Sequence, residues 1–162
     1  MAVDMFIKIG DIEGESTDKA HAKKIDVLAW SWGISNSGTT HMGGGGGSGK
    51  ANVQDLSFTK YTDASSHALL LSASNGTHHK KANLIVRKAG GKGAAIEYIK
   101  IEMEEVMVTS VSCGGSGGED RLTENVTLNF AKVKYEYTPQ KDNGTPDATK
   151  TMVYNIAEND NS

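Results

Sequence analysis

One stretch limits the possible folds more than any other: residues 110–137, SVSCGGSGGEDRLTENVTLNFAKVKYEY. Val126, Leu128 and Phe130 share one face of an extended chain, with Asn125, Thr127 and Asn129 on the other. That is the period of a half-buried strand. After Phe130 the parity inverts. Ala131, Val133, Tyr135 and Tyr137 become the apolar set, and Lys132, Lys134 and Glu136 the polar one. Either a bulge resets the register, or the two ends of one strand bury opposite faces. Both suit a strand that bends round a small barrel and meets a second surface. A plain hairpin with one irregular residue is the third reading, and the sequence leaves all three open.

The rest of the chain reads as short strands. Val3, Met5, Ile7 and Ile9 alternate with Asp4, Phe6 and Lys8, a first strand with one aromatic on its less apolar face. Residues 10–22 are polar and read as a surface loop. Residues 25–33, IDVLAWSWG, form a second strand, with Leu28, Trp30 and Trp32 on one face and Ile25, Val27, Ala29 and Ser31 on the other. Residues 53–61 are a third, with Leu56 and Phe58 inward. A helix follows, opened by Asp63 and stopped at Asn75 and Gly76. Residues 82–88 are a strand. Residues 96–111 exceed one straight strand, so a kink is expected at Glu104 and Glu105. Residues 139–150 are a turn-rich loop, 151–156 a last strand, and 159–162 a frayed end. Eight or nine short strands with one helix imply an all-β sandwich or barrel in a single domain spanning 1–162.

Glycine contributes 19 of the 162 residues, concentrated at 43–49 and 114–118, which marks loops. The first run lies in a long connection, 34–52, and such connections are commonly functional. Gly44, Gly49 and Lys50 approach the spacing of a phosphate loop, but Ala51 lacks the hydroxyl that would hold magnesium, and the next residues read as β where a helix is required. A flexible arm reaching another subunit fits better.

Searching for chemistry gives little. A net charge of −3 argues against nucleic acid as main partner, and no apolar window is long enough to span a membrane. The N-terminus lacks the pattern of a signal peptide. One cysteine, Cys113, excludes an internal disulfide framework. The five histidines read as solvated loop residues, and no carboxylate pair is placed for acid–base work. No catalytic residue, metal or cofactor is assigned. Glu119, Asp120 and Arg121 form a charged cluster behind glycines, either a solvated hairpin tip or a contact that sets register at an interface. Trp30 and Trp32 are either core or a flat interface.

The stretches MAVDMFIKIGDIEGES, IDVLAWSWG, HMGGGGGSGK, VQDLSFTKY, RKAGG and SGGEDRLTENVTLNFAKV, in this order, resemble the Hcp family, the tube protein of the bacterial type VI secretion system. The resemblance implies a small β-barrel of two packed sheets with one flanking helix, assembled as a homohexameric ring whose copies stack head to tail. It implies a contractile sheath around the tube, a VgrG-type spike at its end, small effector proteins in the channel, and residence in the cytoplasm before expulsion without a signal peptide. On this picture the arm at 34–52 makes the ring-stacking contacts through His41, Met42, Gly43, Gly44, Gly45, Gly46, Gly47, Gly49 and Lys50. Gly90 and Gly91 form a second loop at a ring face, and Ser31 looks into the channel towards cargo. Two other classes compete: a monomeric barrel that stacks a sugar or other small ligand on Trp30 and Trp32, and an enzyme, either a phosphate-loop hydrolase using Lys50 or a fused toxin.

Overall fold

Alternating apolar and polar residues drive nearly every element into strands. The computed structural model describes residues 3–38, 41, 49–88 and 95–161. In chain order they form β1 (Val3–Ile9), β2 (Ile25–Asp26), β3 (Ala29–Ser31), β4 (Ile34–Asn36), β5 (Ala51–Val53), β6 (Leu56–Tyr61), α1 (Ser66–Asn75), β7 (His78–Lys88), β8 (Ile96–Gly114), β9 (Thr123–Asn129), β10 (Lys132–Tyr137) and β11 (Lys150–Asn155). The fold is the expected all-β one with a single helix among the described residues.

β8 organises the sheet. β7 runs along one edge of it. The other edge is shared, because β9 pairs with its C-terminal half and β10 with its N-terminal half. β8 turns where the sharing changes hands, at Glu105, whose φ is 54°. The kink expected at Glu104 and Glu105 is therefore a left-handed residue inside one continuous strand. The parity inversion after Phe130 has the same origin. The partner chain breaks between β9 and β10, opposite that bend, so Val126, Leu128, Phe130 and Val133 all enter one core. The register is reset, and the two halves do not bury opposite faces.

Sheet order runs β2-β1-β7-β8-β9-β6-β3, with β10 and β11 branching from β8. Residues 25–31 close this sheet on itself. Val27 N–H donates to Met5 O on β1, and Leu28 N–H donates to Thr59 O on β6. Crossing from one edge to the other overturns the expected parity there. Ile25 and Val27 are buried, Leu28 is exposed, and Trp30 and Trp32 lean on the core. Inside lie Ile7, Ile9, Leu56, Phe58, Leu69, Leu84, Ile101, Met103, Val126 and Leu128. Each such side chain contributes about 1.5–3 kcal/mol on burial.

Two further expectations change. Residues 10–22 are not a free surface loop, since Ser16 and His21 within them are buried. Gly14 permits this, because a Cβ there would stand 2.6 Å from Lys24 O. The helix starts two residues later than Asp63 suggests. The Asp63 carboxylate accepts the Ser65 N–H at 2.9 Å, and Ser65 is the N-cap. At the C-terminal end, Asn155 and Asp160 exchange backbone hydrogen bonds of 2.7 and 3.1 Å.

Candidate assembly surfaces

Three surfaces carry the residues singled out in the sequence. The first is the outer face of β3, β6, β9 and the far half of β8. Register aligns Ser31 with Ser57, Ser57 with Thr127, and Thr127 with Ser110. The adjacent row is Ala29, Thr59, Asn125 and Ser112. Because side chains alternate across a strand, these eight share one face, opposite Phe58, Val126 and Leu128. None is charged. Thr59 Oγ1 donates to Asn125 Oδ1 at 2.8 Å, and Thr109 and Thr127 hydroxyls lie 2.7 Å apart. Asp55 borders the patch and accepts from Thr109 at 2.9 Å and Asn129 at 2.9 Å. Ser31 is exposed within this neutral carpet. Its neighbours Ser57 and Ser110 escaped the sequence reading, and Thr127 enters it only as part of its own strand's polar face, although their alternation with the buried set marks the surface.

The second surface is the arm. β4 and β5 pair as an antiparallel hairpin separate from the main sheet. Its root is fixed by Trp32, whose indole N–H donates to Gln54 O at 3.0 Å while the ring lies 6.4 Å from Phe130. Both tryptophans are thus engaged with the barrel and do not stand free as a stacking platform. Asn36 Nδ2 donates to Gly49 O at 2.6 Å, and a Cβ on Gly49 would approach Ser37 O to 2.7 Å. His41 and Lys50 are exposed. Met42, Gly43, Gly44, Gly45, Gly46 and Gly47 lie outside the described residues, as do Gly90 and Gly91. Lys50 leads into β5 where a phosphate loop would open a helix. A cleft of about 720 Å³ opens beside the arm, lined by Ile34, Ala51, Met152 and Tyr154.

The third surface is the loop between β8 and β9. Glu119 and Asp120 are exposed, and Arg121 stacks on the Tyr61 ring at 3.8 Å. Arg121 is exposed as well, so all three charges of the cluster face solvent.

Two ionic groups sit away from these surfaces. Fully buried Lys60 meets Glu124 at 2.8 Å, Asp63 at 3.0 Å and Ser66 at 3.2 Å. Glu124 is 2% exposed. Between β1 and β2, His21 contacts Glu97 at 2.7 Å and Lys24 at 2.8 Å. Histidines here are not all solvated: His21 is buried, and His79 is half-buried against Ser72 at 3.1 Å. Burial holds the Lys24 ammonium below its usual range, Glu97 opposing this and Lys8 and Lys100 adding to it. Burial would raise Glu97, but hydrogen bonds from Lys100 and His21 bring it below the usual carboxylate value. Among the described residues, no three metal-binding side chains converge, and no helix is long and apolar enough to cross a membrane.

Comparison with known proteins gives a consistent picture. The family model described as "Type VI secretion system effector, Hcp" matches residues 6–137. "Protein hcp1" of Pseudomonas aeruginosa is 62% identical over 160 residues, covering 98% of each chain. A solved "type six secretion system protein" superposes with a TM-score of 0.91 at 32% identity, over 99% of this chain and 100% of that one. Hcp1 from Salmonella typhimurium gives 0.79 at 34% identity, over 100% of both chains.

Proposed function

Because the chain belongs to the Hcp family of type VI secretion proteins, we propose that it acts as one barrel module, residues 1–162, that closes with five copies of itself into a ring and stacks those rings head to tail into the secretion tube. The family is one of structural secretion components, and the proposal calls on no catalysis and no cofactor. The observation that carries it is the neutral carpet. A four-strand-wide face of small hydroxyl and amide side chains, centred on Ser57 and Thr127, suits the wall of a channel through which proteins must be held and let go. Charged residues there would select cargo by net charge, whereas uncharged ones offer hydrogen bonds to any polypeptide.

Ser31 belongs to this wall, contributing an uncrowded polar position for small effector proteins. The arm is the stacking device, from His41 to Lys50. A two-stranded hairpin is marginal alone, so docking on the next ring orders it. A glycine-rich segment loses entropy in doing so, which keeps stacking weak and concentration-dependent. Gly90 and Gly91 meet the neighbouring ring at a second loop, while Glu119, Asp120 and Arg121 set register at its rim. A contractile sheath surrounds the tube and a VgrG-type spike caps it. The subunit waits in the cytoplasm and leaves with the tube on contraction.

Negative-stain electron microscopy of the purified chain over a range of concentrations tests this. Six subunits of 17.2 kDa give particles of about 103 kDa with an open centre, joining into short stacks as concentration rises. Compact single-subunit particles at every concentration would overturn the proposal.

A further inference from the structure

The loop between β1 and β2 is pinned by one imidazole whose neighbours fix its protonation. His21 is 4% exposed. Lys24 Nζ lies 2.8 Å from Nδ1, and Glu97 Oε1 lies 2.7 Å from Nε2. An ammonium can only donate and a carboxylate can only accept. Nδ1 therefore presents its lone pair to Lys24, and Nε2 carries the proton given to Glu97. The ring is neutral.

A further proton has one place to go, Nδ1. There it removes the acceptor that Lys24 uses and sets two cations 2.8 Å apart. Among the described residues, Glu97 is the carboxylate bonded to the ring, and Lys100 shares it at 3.2 Å. Among the other charged groups acting on Lys24, Asp18 offsets this only weakly, behind the opposing Lys8 and Lys100. Asp18, on the same loop, is committed to Arg87 of β7 at 2.5 Å, and Asp4 of β1 to the same guanidinium at 3.0 Å. Lys8 of β1 and Lys100 of β8 both oppose the Lys24 charge. The imidazole stacks on Phe6, with ring centroids 4.8 Å apart, and Arg87 lies 5.2 Å from that same ring.

We propose that residues 10–24 are an acid-released strap, held while His21 is neutral and loosened when Nδ1 takes a proton. Release has two structural consequences. Phe6, now 4% exposed, loses its cover. The tie from Glu15 Oε2 to the Ala64 N–H, 2.8 Å long and just before α1, slackens with it. Local opening of this kind lowers the protection of amides that bond only within the strap.

Two measurements on the full-length ¹⁵N-labelled chain decide the matter. Long-range ¹H–¹⁵N spectra at pH 7.5 read the tautomer directly: a neutral Nε2–H ring is expected, and an Nδ1–H or doubly protonated ring overturns the proposal. Amide exchange at pH 7.5 and 5.0, corrected for intrinsic rates, is then followed at Ser16 and Lys23, whose N–H groups bond to Lys24 O and Ser16 O. Protection should fall by about tenfold or more in acid in the native chain, but by less than about twofold in His21→Gln, which cannot take the proton. No fall in the native chain, or an equal fall in both, sinks the idea. Should His21→Gln fail to fold, Lys24→Met provides the second arm. It removes the opposing cation, so the acid-induced loss must shrink, and an undiminished loss overturns the proposal.

Discussion

Ala131 donates its N–H to the carbonyl oxygen of Glu104 at 3.0 Å, joining the two chains at the point where both bend. On one side Glu105 takes a φ of 54°; on the other the strand breaks after Asn129 and resumes at Lys132. One bend without the other would leave β9 or β10 out of register with β8. The left-handed conformation disfavours any residue with a Cβ and most of all a β-branched one. Glu105 is exposed, so its side chain contributes little. Glu105→Gly should thus be neutral or stabilising by up to about 1 kcal/mol, while Glu105→Val should destabilise by about 1–3 kcal/mol. Urea unfolding of the two variants measures the difference, and equal midpoints would show that the bend does not constrain the barrel.

The buried Lys60 cluster yields a second expectation. Glu124 and Lys60 sit on facing positions of β9 and β6, and their pairing distance is 2.8 Å. Removing Glu124 leaves the buried Lys60 ammonium with Asp63 as its remaining carboxylate at 3.0 Å, so Glu124→Ala should cost up to about 3–5 kcal/mol. Replacing both, as Lys60→Met with Glu124→Leu, should cost markedly less, because no ammonium is then left in the core. Thermal or denaturant unfolding of both variants distinguishes these outcomes. If the double variant is as unstable as the single one, then Asp63, left without its 3.0 Å contact to Lys60, carries the larger penalty.

How much of this was legible depends on sequence separation. The double bend was visible because its two halves each disturb a local period-2 pattern, at 104–105 and at 130–131. The neutral face was half visible: Ser31 stood out, but only pairing across strands shows that Ser57, Thr127 and Ser110 continue its row. Lys60 shares the parity of Leu56 and Phe58, a local sign of burial, yet its partner Glu124 is 64 residues away. The strap left no local trace at all, since His21 meets Glu97 across 76 residues, and a polar composition hid a segment folded onto the sheet. The misplacement of Leu28 has a topological cause. A strand that changes edge between Val27 and Ala29 cannot keep one face inward throughout.

Acid should act on the Asp18–Arg87 pair in a defined window. The Arg87 guanidinium, bonded at 2.5 Å, holds the Asp18 carboxyl down at about 2; burial works against this, and the N–H groups of Ala20 and His21 assist it. The unfolded carboxyl titrates near ~3.9. The contribution to stability is therefore complete above about pH 4 and is lost progressively as pH falls towards about 2. Asp18→Asn should be less stable than the native chain at pH 7 and should show a shallower decline between pH 4 and 2. Unfolding midpoints collected at half-unit pH steps check this, and parallel curves for the two proteins would exclude the pair as a source of acid sensitivity.

On the proposed function, changes in the arm should separate ring closure from ring stacking. Its paired strands are largely exposed and stand outside the main sheet, so the core gains little from them. Removing residues 43–49 should therefore shift the unfolding midpoint only slightly, within about 0.5 kcal/mol as for most surface changes. Rings should persist and stacks should vanish. Gly49→Val offers a finer probe, because a Cβ there meets the Ser37 carbonyl oxygen at 2.7 Å and must push the hairpin out of shape without shortening it. Sedimentation velocity and electron microscopy at high concentration read both variants. Rings without stacks in each would place the stacking energy in the shape of the arm. Stacks in the valine variant but not in the deletion would place it in the arm's length. Stacks in both would move the contact to another surface, the loop at 115–122 being the next to test.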